Sequence, residues 1–266
     1  MKITFIGGGA MGEAMLSAIL AKGLATPESI SVSDISDSRR QHLEQKYHVA
    51  ATNNNRVAVE KGEIIVLAIK PQNLVEVMTE LGGQFKPSQL VLSIIAGARI
   101  NTLCLGLKHE TVARVMPNTP AQIGEGISVW TATDNVTEPQ REWISSILGA
   151  MGKEIYVDDE KYIDMATAVS GSGPAYVFLF VESLVEAAVH IGLPRNIAQE
   201  LVLQTLSGSG HLVQKSGKEP SELRRMVTSP GGTTAEALLQ FEKGGFSNLI
   251  LQAIIAAHNK ARSLGH

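Results

Sequence analysis

Cysteine is almost missing from this sequence, which has only Cys104. An internal disulfide framework and a cysteine-cluster zinc site are therefore excluded, and the count fits a reducing compartment, with the cytoplasm as the default. Charge of one sign is missing too: 23 basic residues face 26 acidic ones, a formal net charge of −3. Such a chain carries no global basic field, so neither nucleic acid nor an anionic membrane surface is an expected partner. Long hydrophobic runs are also lacking. The opening Met1–Ile6 passes straight into glycines, without the apolar core of a secretory signal. The uncharged stretch Met165–Val181 is interrupted by Ser170-Gly171-Ser172-Gly173-Pro174, so no membrane-spanning segment is expected. The histidines (42, 48, 109, 190, 211, 258 and 266) show no H-x-x-x-H or H-E-x-x-H spacing, and no metal site is expected. A G-x-x-x-x-G-K-[ST] phosphate loop is absent, and Ser172 does not satisfy G-x-S-x-G. Asp158-Asp159-Glu160 reads as a charge cluster at a helix N-terminus rather than a cation site.

What remains is globular: 266 residues, 44% hydrophobic and 18% charged, with 25 Gly and 10 Pro. At roughly 150 residues per domain this makes one large or two modest domains. The first part alternates apolar, β-branched runs (Ile3–Ile6, Ile30–Ser33, Ile64–Ile69, Leu90–Ile95 and Val112–Met116) with segments of helical spacing, which means βαβ units. The runs at 64–69 and 90–95 are apolar on both faces, as central strands of a doubly wound parallel sheet covered by helices must be. Gly126–Thr131 and Glu154–Val157 read as further strands flanking a helix near Glu138–Leu148, extending this domain over 1–158. From Lys161 the pattern is helical, over 160–169, 174–192, 195–214, 219–227, 231–243 and 247–263, so 159–266 is expected to be all-α. Ser172 is the expected N-cap of the second of these, with Pro174 in its first turn. That helix carries only Glu182, Glu186 and His190 as titratable residues, four apart, so its polar stripe is narrow. It requires burial on several sides, either at a subunit interface or in the middle of one helical domain.

Gly7-Gly8-Gly9-Ala10-Met11-Gly12 fits G-x-G-x-x-G directly after the first strand and before a helix. Glycines there permit a tight turn and close approach of backbone to a pyrophosphate, which then meets the helix N-terminus. At the start of a βαβ pattern it reads as the fingerprint of a Rossmann-type dinucleotide site, the alternative being a flexible glycine turn. Asp34, at the end of the second strand, is placed to hydrogen-bond an adenosine ribose, or is an ordinary polar turn residue. Facing a 2′-phosphate at about 4 Å it would cost on the order of 4 kcal/mol at an effective dielectric of 20, which leans toward NADH. Ser33, Ser36 and Arg39 are nevertheless groups that a 2′-phosphate would use, so NADPH and NADH both stay open. Lys70-Pro71 ends an apolar strand at the carboxyl edge where open α/β sheets bind ligands; Lys70 either contacts cofactor or substrate there or is a solvated strand-end lysine. In the helical part, Thr228-Ser229-Pro230-Gly231-Gly232-Thr233-Thr234 is either a capped turn or an anion niche, with Ser229 as N-cap and Pro230 at the first helical position. A carboxylate there gains typically about 0.3–1 kcal/mol from the helix terminus.

In order and spacing, Ile6–Gly12, Ala68-Ile69-Lys70-Pro71, Arg114-Val115-Met116-Pro117-Asn118-Thr119-Pro120-Ala121, Ser170-Gly171-Ser172-Gly173-Pro174-Ala175-Tyr176 and Ser229–Thr234 resemble pyrroline-5-carboxylate reductase. The resemblance runs from Met1 almost to the C-terminus, and its last three motifs are far more specific than the glycine fingerprint. It implies hydride transfer from NAD(P)H to a ring imine, giving L-proline. It also implies a Rossmann domain followed by a helical dimerisation domain, and often a ring of dimers. By the same resemblance, Gly7, Gly8, Gly9, Ala10, Met11, Gly12, Asn55, Ala68, Ile69, Lys70, Pro71, Ala96 and Gly97 would hold the cofactor, beside Ser33 and Asp34. Val227, Ser229, Gly231, Gly232, Thr233 and Thr234 would hold the substrate carboxylate, with Thr234 close to the imine nitrogen and the loop serving a partner subunit. The chain departs from the family pattern at Ile35, where proline is frequent, and at Glu219-Pro220-Ser221. A β-hydroxyacid dehydrogenase or generic imine reductase is the rival enzyme, but would carry a catalytic lysine in the helical domain, and the helix Pro174–Gly192 has none. A nucleotide-sensing regulator without turnover is the rival of another class.

Overall fold

The apolar runs form the strands β1 (Ile3–Ile6), β2 (Ile30–Ser33), β3 (Ala50–Thr52), β4 (Ile64–Leu67), β5 (Leu90–Ser93), β6 (Val112–Met116), β7 (Gly126–Ala132) and β8 (Gly152–Tyr156). In the computed structural model, which describes residues 1–264, they make one sheet of order β3-β2-β1-β4-β5-β6-β7-β8. His266 and the end of the expected helical domain lie outside the described residues. Pairing is parallel from β3 to β6, antiparallel between β6 and β7, and parallel again to β8. The expected parallel sheet is therefore mixed. The link from Met116 to Gly126 holds only a 3-10 turn, Thr119–Ile123, and is shorter than the dozen or so residues that a parallel crossover needs.

Strand order reverses between β1 and β4, which opens the crevice at the carboxyl ends where such sheets bind ligands. The helices that cover the sheet are α1 (Ala10–Ala21), α2 (Asp37–Tyr47), α3 (Asn55–Val59), α4 (Leu74–Leu81), α5 (Ile100–Leu107) and α6 (Glu138–Gly149). Alternate side chains of β4 and β5 serve two cores: Ile64, Val66, Leu90 and Leu92 pack with Met15 and Leu16, while Ile65, Leu67 and Val91 pack with Leu81 and Leu103. Burial on both faces is why these strands read as unbroken apolar runs, and each such side chain stabilises by about 1.5–3 kcal/mol. β4 ends at Leu67 and β5 at Ser93, two residues short of the expected ends, so Ala68–Lys70 and Ile94–Gly97 belong to the turns above the sheet. The edge strand β3 is absent from the sequence reading because Ala50-Ala51-Thr52 is short and barely apolar.

After β8 come α7 (Lys161–Ala166), a π-helical turn (Thr167–Gly171), α8 (Gly173–His190), α9 (Arg195–Ser216), α10 (Pro220–Met226), α11 (Thr233–Lys243) and α12 (Phe246–Leu264). Ser172 is not the expected N-cap. Its backbone is helical, at φ −85° and ψ −19°, and its N–H donates to the Thr167 carbonyl at 2.8 Å. Pro174 has no N–H to give to the ladder and its ring crowds the preceding turn, so the chain widens into a π turn instead of stopping. The run Lys161–His190 is consequently one helix, long and apolar enough by length and composition to cross a membrane; the expected interruption does not interrupt it.

The chain forms two compact units, Met1–Ser172 with Ala257 onward, and Gly173–Ala256. Fourteen residues that the sequence reading gave to the helical part, 159–172, thus group with the sheet. Arg114 explains much of that: it is 1% exposed and reaches from β6 to Glu160 at 2.8 Å and to Asp164 on α7 at 2.6 Å. In the second unit Val185 and Ala198 are the only buried apolar residues among those described, while Phe178, Leu179, Leu249 and Leu251 are all more than half exposed.

Candidate active site

The glycine loop follows β1. Gly7 has φ +99°, and a Cβ there would stand 2.6 Å from the Ala68 carbonyl oxygen, so only glycine fits. A Cβ on Gly12 would stand 2.7 Å from the Gly7 oxygen, which is why the first turn of α1 can lie against the loop. Gly9 is different. It is the N-cap of α1 and offers no side-chain cap, and a Cβ there would meet nothing within 4 Å. The first amides of α1 therefore border open space that an anion can enter, with the positive end of the helix behind it. This cradle fits a pyrophosphate.

Asp34 lies at the rim of the same loop. Its Oδ2 accepts the Gly8 N–H at 2.7 Å and its Oδ1 accepts the Ser36 N–H at 2.8 Å. Ser33 donates its hydroxyl to Asn55 Oδ1 at 2.7 Å, and Asn55 donates in turn to Glu80 at 2.7 Å. Arg39 donates to the Gly8 carbonyl and to Glu13. The sequence reading missed Glu13, which also takes hydrogen bonds from His42, Lys46 and Tyr47. Burial pushes the Glu13 carboxyl up, but these donors outweigh it and hold it well below the usual carboxylate range. A signal was available: Arg39, His42 and Lys46 are spaced three and four apart, on one face of α2.

At the other strand ends, Lys70 is exposed, and its ammonium has no partner among the described residues. Pro71 opens a 3-10 turn. Ala96 is half-buried, while Gly97 is buried beneath Leu264, whose Cβ would lie 2.7 Å from a Cβ placed on the glycine. Asn118 accepts the Ile127 N–H at 2.9 Å through Oδ1, so it orders the link into β7. The Asp158–Glu160 cluster divides: Asp159 pairs with Lys161 at 2.7 Å, while Glu160 also accepts the Ile100 N–H at 2.8 Å. No acidic or histidine cluster suited to a metal occurs among the described residues.

In the helical unit, Ser229 is not the N-cap that the sequence suggested. Its carbonyl accepts the Gly232 N–H at 3.1 Å, with Pro230 second and Gly231, at φ +70°, third in the turn. Proline followed by a positive-φ glycine is the type II pattern, and it delays the helix to Thr233. The N-cap is Gly232, without a side-chain cap. A Cβ on Gly232 would fall 2.5 Å from Ser229 Oγ, so Gly232 lets Ser229 lie against the helix start. The first turn of α11 thus has no side-chain cap, and it lies beside the exposed Thr233, the half-buried Thr234 and the exposed Val227.

A curated pyrroline-5-carboxylate reductase of Synechocystis sp. is 39% identical over 100% of this chain and 98% of its own length. The chain belongs to the pyrroline-5-carboxylate reductase family. The Arabidopsis thaliana reductase is 36% identical over 99% of the chain and 95% of its own length. The family model described as pyrroline-5-carboxylate reductase dimerisation matches residues 160–264, so the reductase's helical region is its dimerisation region. A model described as NADP oxidoreductase, coenzyme F420-dependent, matches residues 2–97, which hold the glycine loop. Among solved structures, the Plasmodium falciparum reductase with NADP bound has a TM-score of 0.92 at 33% identity, covering 100% of this chain and 98% of that one. An Aspergillus terreus reductive aminase, at 18% identity and a TM-score of 0.59 over 80% of this chain and 76% of its own, shares the fold alone.

Proposed function

We infer that this chain reduces the ring imine of 1-pyrroline-5-carboxylate to L-proline with NADH or NADPH. The observation that carries the reading is the Ser229–Gly232 turn, which delivers an uncapped helix start and two threonines where a carboxylate can be held. Bound reduced nicotinamide supplies the hydride. The protein's own work is then to hold and orient. Gly7, Gly8, Gly9, Ala10, Met11 and Gly12 take the pyrophosphate on the amides of α1, Asp34 takes the ribose, and Ser33 and Asn55 brace the loop beside it. Ala68, Ile69, Lys70, Pro71, Ala96 and Gly97 line the strand ends that face the cofactor. Val227, Ser229, Gly231, Gly232, Thr233 and Thr234 bind the substrate carboxylate, and the Thr234 hydroxyl hydrogen-bonds the imine nitrogen. An iminium is already electrophilic, so placing donor and acceptor carbons together with water excluded supplies much of the catalysis, and no strong side-chain acid is required.

The same reading assigns 1–158 to cofactor binding and 159–266 to dimerisation and substrate binding. It makes the working protein a cytoplasmic homodimer, assembled into a ring of dimers, in which each loop serves the partner's cofactor. The exposed apolar surface of α8 and α12 supports this, since a second copy is what would cover it. The test is loss of reduced-nicotinamide absorbance on adding 1-pyrroline-5-carboxylate, with formation of proline. Cofactor binding without turnover would contradict the reading and favour the regulator.

A further inference from the structure

We propose that Glu13 sets the cofactor preference of this chain: it commits the Arg39 guanidinium to the glycine loop, leaves Asp34 to meet the adenosine ribose, and so favours NADH over NADPH. The proposal rests on the cofactor reading above and deepens it.

Glu13 follows Gly12 directly and gathers donors from one face of α2: Arg39, His42 at 3.0 Å, Lys46 at 3.0 Å and Tyr47 at 2.9 Å. Its side chain is only 15% exposed, so it competes for Arg39 from a protected position. Arg39 uses Nε on the Gly8 carbonyl and a terminal nitrogen on Glu13, which pins the guanidinium across the loop.

A 2′-phosphate needs cationic or hydroxyl donors free to turn toward it; Ser33, Ser36, Arg39 and Arg40 are each held in direction by hydrogen bonds, the two arginines with N–H groups to spare. The Ser33 hydroxyl donates to Asn55. Ser36 caps α2 by accepting the Arg39 N–H at 3.3 Å and shares a hydrogen bond with Ser38 at 3.0 Å. Arg40 donates to the Asp34 carbonyl at 2.7 Å and to Asp37 at 2.8 Å. The Asp34 carboxylate is left, with one backbone N–H on each oxygen. A carboxylate offers about four lone-pair sites, so both oxygens keep capacity for ribose hydroxyls and present only negative charge to a phosphate.

The test is direct titration of NADH and NADPH, followed by nicotinamide fluorescence without substrate, so that it does not depend on turnover. The wild type is expected to bind NADH at least about tenfold more tightly than NADPH. Arg39→Ala should keep that ratio within about twofold, because Arg39 reads no 2′-phosphate in this arrangement. Glu13→Gln should move the ratio toward NADPH by about fivefold or more, and adding Arg39→Ala to it should cancel the gain. A wild type that prefers NADPH, or an Arg39→Ala protein that loses NADPH affinity alone, would overturn the proposal. A folded Glu13→Gln protein with an unchanged ratio would overturn it as well; where Glu13→Gln folds poorly, the first two results still count against it. Failure of the wild type to bind either cofactor would overturn the cofactor reading itself, and the preference with it.

Discussion

Every residue of β4 and β5 is buried, whereas in α8 only Val185 is, and Phe178 and Leu179 of that helix are each 63% exposed. Apolar side chains are plentiful in both regions; what differs is the number of layers the chain itself supplies. The sheet has helices on each face and completes two cores alone. Among the described residues the helical unit leaves most of its large apolar side chains exposed, as a region that matches a dimerisation model does where a second copy is to cover it. The lesson concerns function as much as packing: the sheet unit carries the glycine loop and Asp34, the helical unit carries the Ser229–Gly232 turn and the start of α11 that has no side-chain cap, and only the first unit buries its apolar side chains by itself.

The largest effect should come from attacking the unfinished half. Phe178→Asp places a charge on the exposed face of α8. We expect loss of the dimer in sedimentation and at least about a hundredfold loss of activity, since a buried unpaired charge costs several kcal/mol. A dimer that survives would show that this face is not the interface. Leu92→Ala in β5 should cost about 2–5 kcal/mol in urea melts. That loss should not depend on protein concentration, whereas the stability of the wild-type dimer should. Thr234→Ala should lower kcat/KM by about ten- to a hundredfold, the loss of one charge-assisted hydrogen bond, with cofactor affinity unchanged. Unchanged kinetics would remove Thr234 from the mechanism.

The smallest effect is in acid. Glu13 has its folded pKa depressed by its four donors, so its contribution to stability is full above the unfolded value of about 4.3 and fades as pH falls below it. The stability gap between wild type and Glu13→Gln should therefore be wider at pH 7 than at pH 3. A gap that stays constant would mean that the Glu13 charge is not what the donors recognise.

Long, regular elements were legible in the sequence because their cause is local. β1, β2 and β6 match their expected bounds, and α6 keeps its expected start at Glu138, where Thr137 and Gln140 form a capping box. Elements that depend on distant partners were not legible. β3 exists because β2 offers an edge, and β7 runs backwards because its link is short. The N-caps expected at Ser172 and Ser229 fail for different reasons. At Pro174 a π turn absorbs the missing N–H; at Pro230 the following positive-φ glycine makes a turn rather than a helix start. In the candidate site, the glycine loop and Asp34 could be read from order along the chain, but the commitment of Arg39 to Glu13 requires α1 and α2 side by side.

The most direct test of the account is complementation between two inactive proteins. Gly12→Val drives a side chain into Gly7 of the glycine loop, and Gly232→Val drives one into Ser229 of the turn before α11. Each alone should be inactive toward 1-pyrroline-5-carboxylate. If a reductase site joins the cradle of one copy to the niche of the other, mixing and reassembling the two should restore about a quarter of wild-type turnover, because half of the dimers are mixed and each has one intact site. No recovery, with mixed dimers demonstrated, would contradict the claim that two copies are needed to build the site.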